Sequence, residues 1–385
     1  MKKNHPGPAP PASDRGQAGI PRKFDQTIVQ GASDREGISA LAEMIFPNED
    51  VSSAGYLAWM YDRNPNGQAI EFVTKTGSLV TGHCAAVPVR CKIGSGVHAA
   101  SVAVNGMTHP DFRGRGIFFR LYGEITAQSA KSGIVLTFGF PNSNSLGSCL
   151  RHLNYREIGE LPLWILPFDL SPILASQNAT RGAIWRIAGR AGTPFLRLGQ
   201  AILRPRRACA ALKIEKAAEF GPEFEAFWDD VKAGYGNCLV RDPAYLNWRF
   251  AHHPSRDYEI LAARANGRLV GYLVGRQVKI EDLIWGMIVD LLIADTAEGK
   301  AAAAALTDAY CREARASGAS LAGTLIPKTS PAAKALRRLG FLVCPQRLLP
   351  RRFPILLSWN GPETAPGDIF DASAWFITLG DYDAV

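Results

Sequence analysis

Nowhere in the 385 residues does an apolar run approach the ~18–20 residues that a helix needs to cross a bilayer. The seven cysteines are Cys84, Cys91, Cys149, Cys209, Cys238, Cys311 and Cys344; they are odd in number, scattered and never spaced C-x-x-C. Neither a disulfide frame nor a zinc site follows from that spacing, so free thiols in the reducing cytoplasm, and no metal, are expected. Acidic residues are missing altogether between Asp169 and Glu215, where Arg181, Arg186, Arg190, Arg197, Arg204, Arg206, Arg207 and Lys213 supply eight positive charges. The formal net charge is +8, so this one stretch holds the whole surplus and the remainder is neutral. A protein-wide basic surface for nucleic acid is excluded. Residues 1–24 are rich in Pro, Gly and Ala and lack the continuous apolar core of a secretion signal, and a disordered tail is expected there.

What remains has 47% hydrophobic and 20% charged residues, a globular composition on a length that suits two domains. The chain also repeats itself. Tyr56/Tyr245, Leu57/Leu246, Trp59/Trp248, Pro65/Pro254 and Gly82/Gly271 recur at one offset of 189 residues. A second match, Phe140 to Tyr155 against Ile326 to Phe341, lies at an offset of 186, a drift that loop insertions produce. Shared order in both halves indicates an internal duplication. The expected domains are residues 25–167 and 211–385, joined by a basic linker at 168–210.

Each half shows a short strand, a helix, and alternating apolar runs broken by turn glycines, then strand–helix–strand. The expected class is therefore α+β: a mixed, mostly antiparallel sheet flanked by helices, with one parallel strand pair around the crossover helix. The linker sets Ile184, Trp185, Phe195, Leu198 and Ile202 among its arginines. One or two amphipathic helices would either pack between the domains or make a peripheral membrane contact.

The densest chemistry lies in Thr108–Glu124, where Arg113-Gly114-Arg115-Gly116 stands between an expected strand ending near Met107 and a helix starting near Ile117. Amides at a helix start lack intrahelical partners and carry the positive end of the dipole. Glycines let those amides approach a ligand closely, and arginines add bidentate donors. This combination suits a phosphate or pyrophosphate. It is neither a Walker loop nor a dinucleotide-binding glycine pattern.

With His109-Pro110-Asp111-Phe112 ahead of it, the loop resembles the pyrophosphate loop of the GNAT superfamily of acyl-CoA-dependent N-acyltransferases. The family's second signature resembles Asn142 through Asn154-Tyr155, and again the stretch ending in Gly340-Phe341. The resemblance implies two tandem GNAT-like domains and an acyl-CoA cosubstrate, acetyl-CoA or another acyl-CoA. Its binding residues would be Met107, Thr108, Arg113, Gly114, Arg115, Gly116, Ile117, Phe118, Asn142 and Ser145. Phe118 departs from the family's small residue, as in the tandem-repeat members that acetylate aminoglycosides. Those members pair an active first repeat with a degenerate second. Here the second loop position, Asp295 to Leu306, has no arginine, and Asp295 and Glu298 would repel a pyrophosphate.

The implied reaction is direct attack of an amine on the thioester, with Asn105, Gly106 and Met107 polarising the carbonyl and Gly106 as a bulge. The family's usual tyrosine acid is replaced by Leu150 in the first repeat and Leu336 in the second. Candidates for proton transfer are His98, Asn105 and Asp111. The resemblance to the tandem acetyltransferases adds the terminal carboxylate of Val385, behind Asp381 and Asp383. The acceptor is expected to be a small-molecule amine, possible members being amino sugars or nucleotide-linked amino sugars of surface polysaccharide synthesis. Trp59, Tyr61 and Trp248 either stack on such a sugar or form a shared core. The alternative function is a non-catalytic or aminoacyl-transfer protein that kept the fold.

Overall fold

The apolar alternation of Leu79–Ile93 and Gly96–Thr108 folds into the long hairpin around which the first sheet is built. The computed structural model describes residues 27–31, 34–176, 190–194, 212–349, 351–361 and 364–382. The expected N-terminal tail, most of the basic linker, Cys209 and Val385 lie outside them. The first half contributes β1 (Thr27–Gln30), β2 (Ile70–Thr76), β3 (Leu79–Ile93), β4 (Gly96–Thr108), β5 (Leu136–Gly139), β6 (Arg156–Glu160) and β7 (Leu163–Pro167). The second contributes β8 (Leu212–Ala217), β9 (Cys238–Leu239), β10 (Glu259–Ala265), β11 (Arg268–Ile280), β12 (Leu283–Ile293), β13 (Leu321–Leu325), β14 (Leu342–Val343) and β15 (Pro354–Trp359).

Helices fall at matching places in the two halves. α1 (Arg35–Ile45) and α2 (Ala54–Asp62) precede β2; α3 (Ile117–Lys131) joins β4 to β5, and α4 (Ser143–His152) follows β5. After the short α5 (Leu170–Ser176) come α6 (Pro222–Val231), α7 (Pro243–Leu246), α8 (Ala297–Ala316) between β12 and β13, and α9 (Ala333–Arg338). α3 buries Ile117, Leu121, Tyr122 and Ile125, and α8 buries Ala302, Ala303, Leu306, Tyr310 and Ala314. That three-to-four spacing turns one stripe of each helix onto its sheet. The parallel pairs expected around the crossover helices are present, β4 with β5 and β12 with β13.

The two halves are not closed units. The first sheet runs β1-β2-β3-β4-β5-β15-β6 and the second β14-β7-β13-β12-β11-β10-β8. β7, from the first half, pairs with β13, and β15, from the second, pairs with β5. Strands therefore cross the division at 167 and 211 in both directions: the second sheet takes β7, and the first takes β15 and the short β9, which pairs with β3. Leu163–Pro167 and Pro354–Trp359 are similar apolar runs, and nothing local to either specifies which sheet receives it.

A symmetric contact marks the junction. Trp59 and Trp248 stack with ring centroids 4.8 Å apart and planes at 19°. Each indole N–H donates to the other's backbone carbonyl, at 2.9 and 3.1 Å. Their separation of 189 residues is the repeat offset, so they are equivalent residues meeting across a pseudo-twofold axis. Both are buried, as is Tyr61; of the two readings of these aromatics, their burial fits a shared core and leaves no face open for stacking on a sugar. His253 packs beside them, 4.3 Å from the Trp59 ring. Burial, with Arg249 and Arg256 nearby, pushes its imidazole down to about 3.

Beyond β15 the chain returns to the second domain. Arg241, fully buried, bonds Asp290 at 3.1 Å and Asp381 at 2.7 Å. Thr378 donates to Asp290 at 2.9 Å and Tyr272 donates to the same carboxylate at 2.8 Å. Asp381 is therefore a core ion-pair partner, which corrects its assignment to an acidic tail at the acceptor site.

Two outcomes follow from this junction. Arg241→Met strands two buried carboxylates and should cost about 3 kcal/mol or more in urea unfolding, well above the loss from Asp381→Asn. For His253 the folded pKa lies below the unfolded one, so its contribution is complete above about pH 6.5 and declines as pH falls towards 3. Melting temperature should drop between pH 6.5 and about 4.5, and His253→Phe should flatten that slope.

Candidate active site

β4 and β5 stay paired only from Ala100–Leu136 to Ala103–Gly139. Past that point they part, and a cavity of about 350 Å³ opens between Val104-Asn105-Gly106 on one side and Phe140-Pro141-Asn142 on the other. The divergence coincides with a bulge. β3–β4 register passes from His83–Met107 to Ala85–Val104, leaving Asn105 and Gly106 opposite Cys84 alone. The bulge expected at Gly106 is there, with Asn105 at φ +50.

A second cavity of about 680 Å³ continues outward between the start of α3 and the start of α4. The two share Phe46, Gly106, Phe118, Asn142 and Ser145, so they adjoin along one channel-like cleft. Pro110–Phe112 make one 3₁₀ turn, whose amide at Asp111 is accepted by His109 Nδ1 at 3.3 Å. His109 is a turn-capping residue. Gly114 and Gly116 both have φ +73, a region that a Cβ penalises. Gly116 is the N-cap of α3, and with no side-chain cap the amides of its first turn face the channel uncapped.

Met107, Thr108, Arg113, Gly114, Gly116, Ile117, Phe118, Asn142 and Ser145 all line this channel. Met107 does so while its side chain is buried in the core. Arg115 does not line it: its guanidinium folds over the Phe112 ring at 4.7 Å and donates to the Asp111 carbonyl at 3.0 Å. Asn142 spends its side-chain oxygen on the Asn144 and Ser145 amides at 3.0 and 3.1 Å, so it caps α4 as well as lining the wall.

The proton-transfer candidates separate. Asn105 lines the inner cavity. His98 is exposed at the hairpin end of β4, opposite Cys91, and Asp111 is exposed on the outer turn; neither lines the channel. Leu150 sits on the outer face of α4, 39% exposed, so its missing hydroxyl would not have faced the cavity. The structure instead supplies Tyr122, Cys149 and Tyr155 at the floor and Glu49, Arg256 and Arg351 at the mouth. Burial pushes Tyr122 and Tyr155 well up and Cys149 up to about 11, so all three stay protonated at neutral pH. The Tyr155 ring lies over the last paired residue: a Cβ built on Gly139 would come within 3.2 Å of it. One signal for the floor was legible, since Phe118, Tyr122 and Ile125 share a helical face. The mouth was not, because it combines the α1–α2 connection with distant segments.

The second domain shows what closure of the same place looks like. β12 and β13 pair up to Ile288–Thr324, and β11–β12 register slips at the same point. There the turn Leu379–Asp381 packs against β12: a Cβ on Gly380 would lie 3.4 Å from the Val289 carbonyl. At the loop position Thr296 caps α8 through the Gly299 amide at 3.1 Å, and Asp295 pairs with Lys300 at 2.7 Å.

Residues 222–341 match the family model described as Acetyltransferase (GNAT) family. No curated protein matches the chain. Among solved structures, a GCN5-related N-acetyltransferase from Anabaena variabilis is 13% identical at TM-score 0.58, covering 87% of this chain and 73% of its own. A probable N-acyltransferase from Enterococcus faecalis is 12% identical at TM-score 0.57, covering 86% and 72%. Saccharomyces cerevisiae N-myristoyltransferase, solved with bound myristoyl-CoA, is 11% identical at TM-score 0.57, covering 90% and 81%. The family's sequence pattern is thus strongest in the half whose cleft is filled, and the open cleft lies in the other. The chain thus has the fold of these N-acetyltransferase and N-acyltransferase structures, in two tandem domains that share strands across their junction, and residues 222–341 are similar to the GNAT family in sequence.

Proposed function

We propose that the protein is an acyl-CoA-dependent N-acyltransferase whose coenzyme binds in the first domain alone. The observation that carries this is the channel-like cleft. Its outer part has uncapped α3 amides, two left-handed glycines and Arg113, which suit a pyrophosphate. Its inner part is a slot between parting strands beside a bulge, which suits pantetheine and a thioester.

The acceptor is a primary amine entering from the mouth. Asp50 is already held by Arg256 at 2.5 Å, and its carboxyl, which burial raises, is brought below the usual range by Ser255 and Arg256. Glu49, exposed and lining the same cavity, is the carboxylate that takes the amine's proton. The neutral amine nitrogen bonds the thioester carbon, the C–S bond breaks, and the proton that the new amide nitrogen sheds passes to the leaving thiolate through solvent or through Tyr155, which gives one proton and regains it. Arg256, paired with Asp50, and Arg351 line the same cavity as Glu49 and suit an acceptor that carries an anionic group as well as an amine, as nucleotide-linked amino sugars do.

Calorimetry with acetyl-CoA should give binding that Arg113→Glu weakens by about tenfold or more, whereas Arg115→Ala changes it little. Mass spectrometry of amines incubated with acyl-CoAs should show an acylated product; a parent that binds acetyl-CoA yet acylates none favours a non-catalytic protein. Glu49→Gln should lower turnover by about a hundredfold at neutral pH, with recovery as rising pH deprotonates the amine in solution.

A further inference from the structure

Behind the bulge lies a file of polar groups that, past Asn105 itself, neither the channel lining nor the anion loop uses. It begins at Asn105, whose φ of +50 is a conformation that L-residues avoid and asparagine tolerates best. The Asn105 carbonyl is 2.9 Å from His83 Nδ1, which therefore carries the ring proton. The Asn105 side-chain amide donates to the Tyr61 hydroxyl at 2.7 Å. Both Tyr61 and His83 are fully buried.

A charged layer backs these two rings. The Arg35 guanidinium lies 5.0 Å from the Tyr61 ring centroid, forks onto both oxygens of Glu71, and reaches Asp62 at 2.7 Å. Glu71 in turn stands 3.6 Å from His83 Nε2. Burial pushes the Glu71 carboxyl up, but the adjacent His83 ring and the Arg35 guanidinium forked onto it overcome this and hold it below the usual range. A buried pair of this kind is a poor way to gain stability, since apolar residues of equal volume serve as well. It does fix geometry.

What it fixes is a peptide plane. In a trans peptide the C=O of one residue and the N–H of the next point in opposite directions. With the Asn105 carbonyl turned inward to His83, the Gly106 N–H points outward, and Gly106 lines both parts of the channel. The geometry assigns Tyr61 and His83, backed by Arg35 and Glu71, as positioning residues that hold the Asn105–Gly106 peptide so that the Gly106 N–H meets the thioester carbonyl. This assignment rests on the acyltransferase reading above. The donor is set before substrate arrives, which is where electrostatic stabilisation is most effective. In the second domain the bulge leaves Val289 unpaired, and the next residue, Asp290, has its carboxylate bound by Arg241, Tyr272 and Thr378.

The test uses the full-length protein and acetyl-CoA carrying ¹³C at the thioester carbonyl. Infrared difference spectra should show the bound carbonyl stretch shifted below that of free ligand. Tyr61→Phe, which removes only a hydroxyl, and His83→Gln should move it back towards the free value. Turnover should fall by about tenfold or more at saturating acetyl-CoA, while KM for acetyl-CoA and the affinity for free CoA stay within about twofold. If His83→Gln fails to fold, Tyr61→Phe decides alone. An unchanged carbonyl frequency in a folded variant, with only a lower melting temperature, makes the network merely structural and overturns the assignment. A parent that binds no acetyl-CoA overturns the proposed function itself, and this assignment with it.

Discussion

The parting of two parallel strands after four residue pairs is the constraint on which this structure turns. A parallel ladder that continued past Ala103–Gly139 would satisfy its own amides and leave no slot. By stopping there, and by carrying one extra residue at Asn105–Gly106, the first domain exposes backbone donors at the inner end of a channel whose outer end is the uncapped start of α3. Burying unpaired amides is expensive; a cleft that a ligand enters from solvent avoids that cost. The same parting occurs in the second domain, and there the chain fills it with its own turn at Leu379–Asp381. One duplicated frame thus ends as a cleft on one side and a core on the other.

The duplication also explains why the domains cannot be separated. β7 completes the second sheet and β15 the first, so either half alone would expose a sheet edge where a central strand belongs. The Trp59–Trp248 pair is the natural consequence of a twofold relation, because a residue near the axis meets its own equivalent. Along that junction the ionisable groups serve packing: His253 is held neutral by burial, and Asp381 is absorbed by Arg241.

Much of this was legible in sequence, for reasons that can be named. The repeat offset located both domains because the Tyr-Trp-Pro segment must pack against its copy. Arg113–Gly116 located the loop because positive φ and a helix start each demand particular residues. The Gly106 bulge was expected from the family resemblance, and the positive φ there falls on Asn105. Strand exchange was not, since β7 and β15 are equally apolar and pairing partners are a global property. Arg115 looked like a ligand but found a nearer partner in the Phe112 ring, and Asp381 looked like a solvated tail but sits opposite a buried guanidinium. Tyr61, His83, Arg35 and Glu71 carry no local motif, and converge only because α1 and α2 pack against the sheet in which β2, β3 and β4 are neighbours.

A crystal structure of the protein with a non-hydrolysable acyl-CoA thioether tests the central claim most directly. The account predicts diphosphate density against the amides of Ile117–Phe119 beside Arg113, with the carbonyl within hydrogen-bonding distance of the Gly106 nitrogen. Density at the start of α8 in the second domain, displacing the Leu379–Asp381 turn, would contradict it.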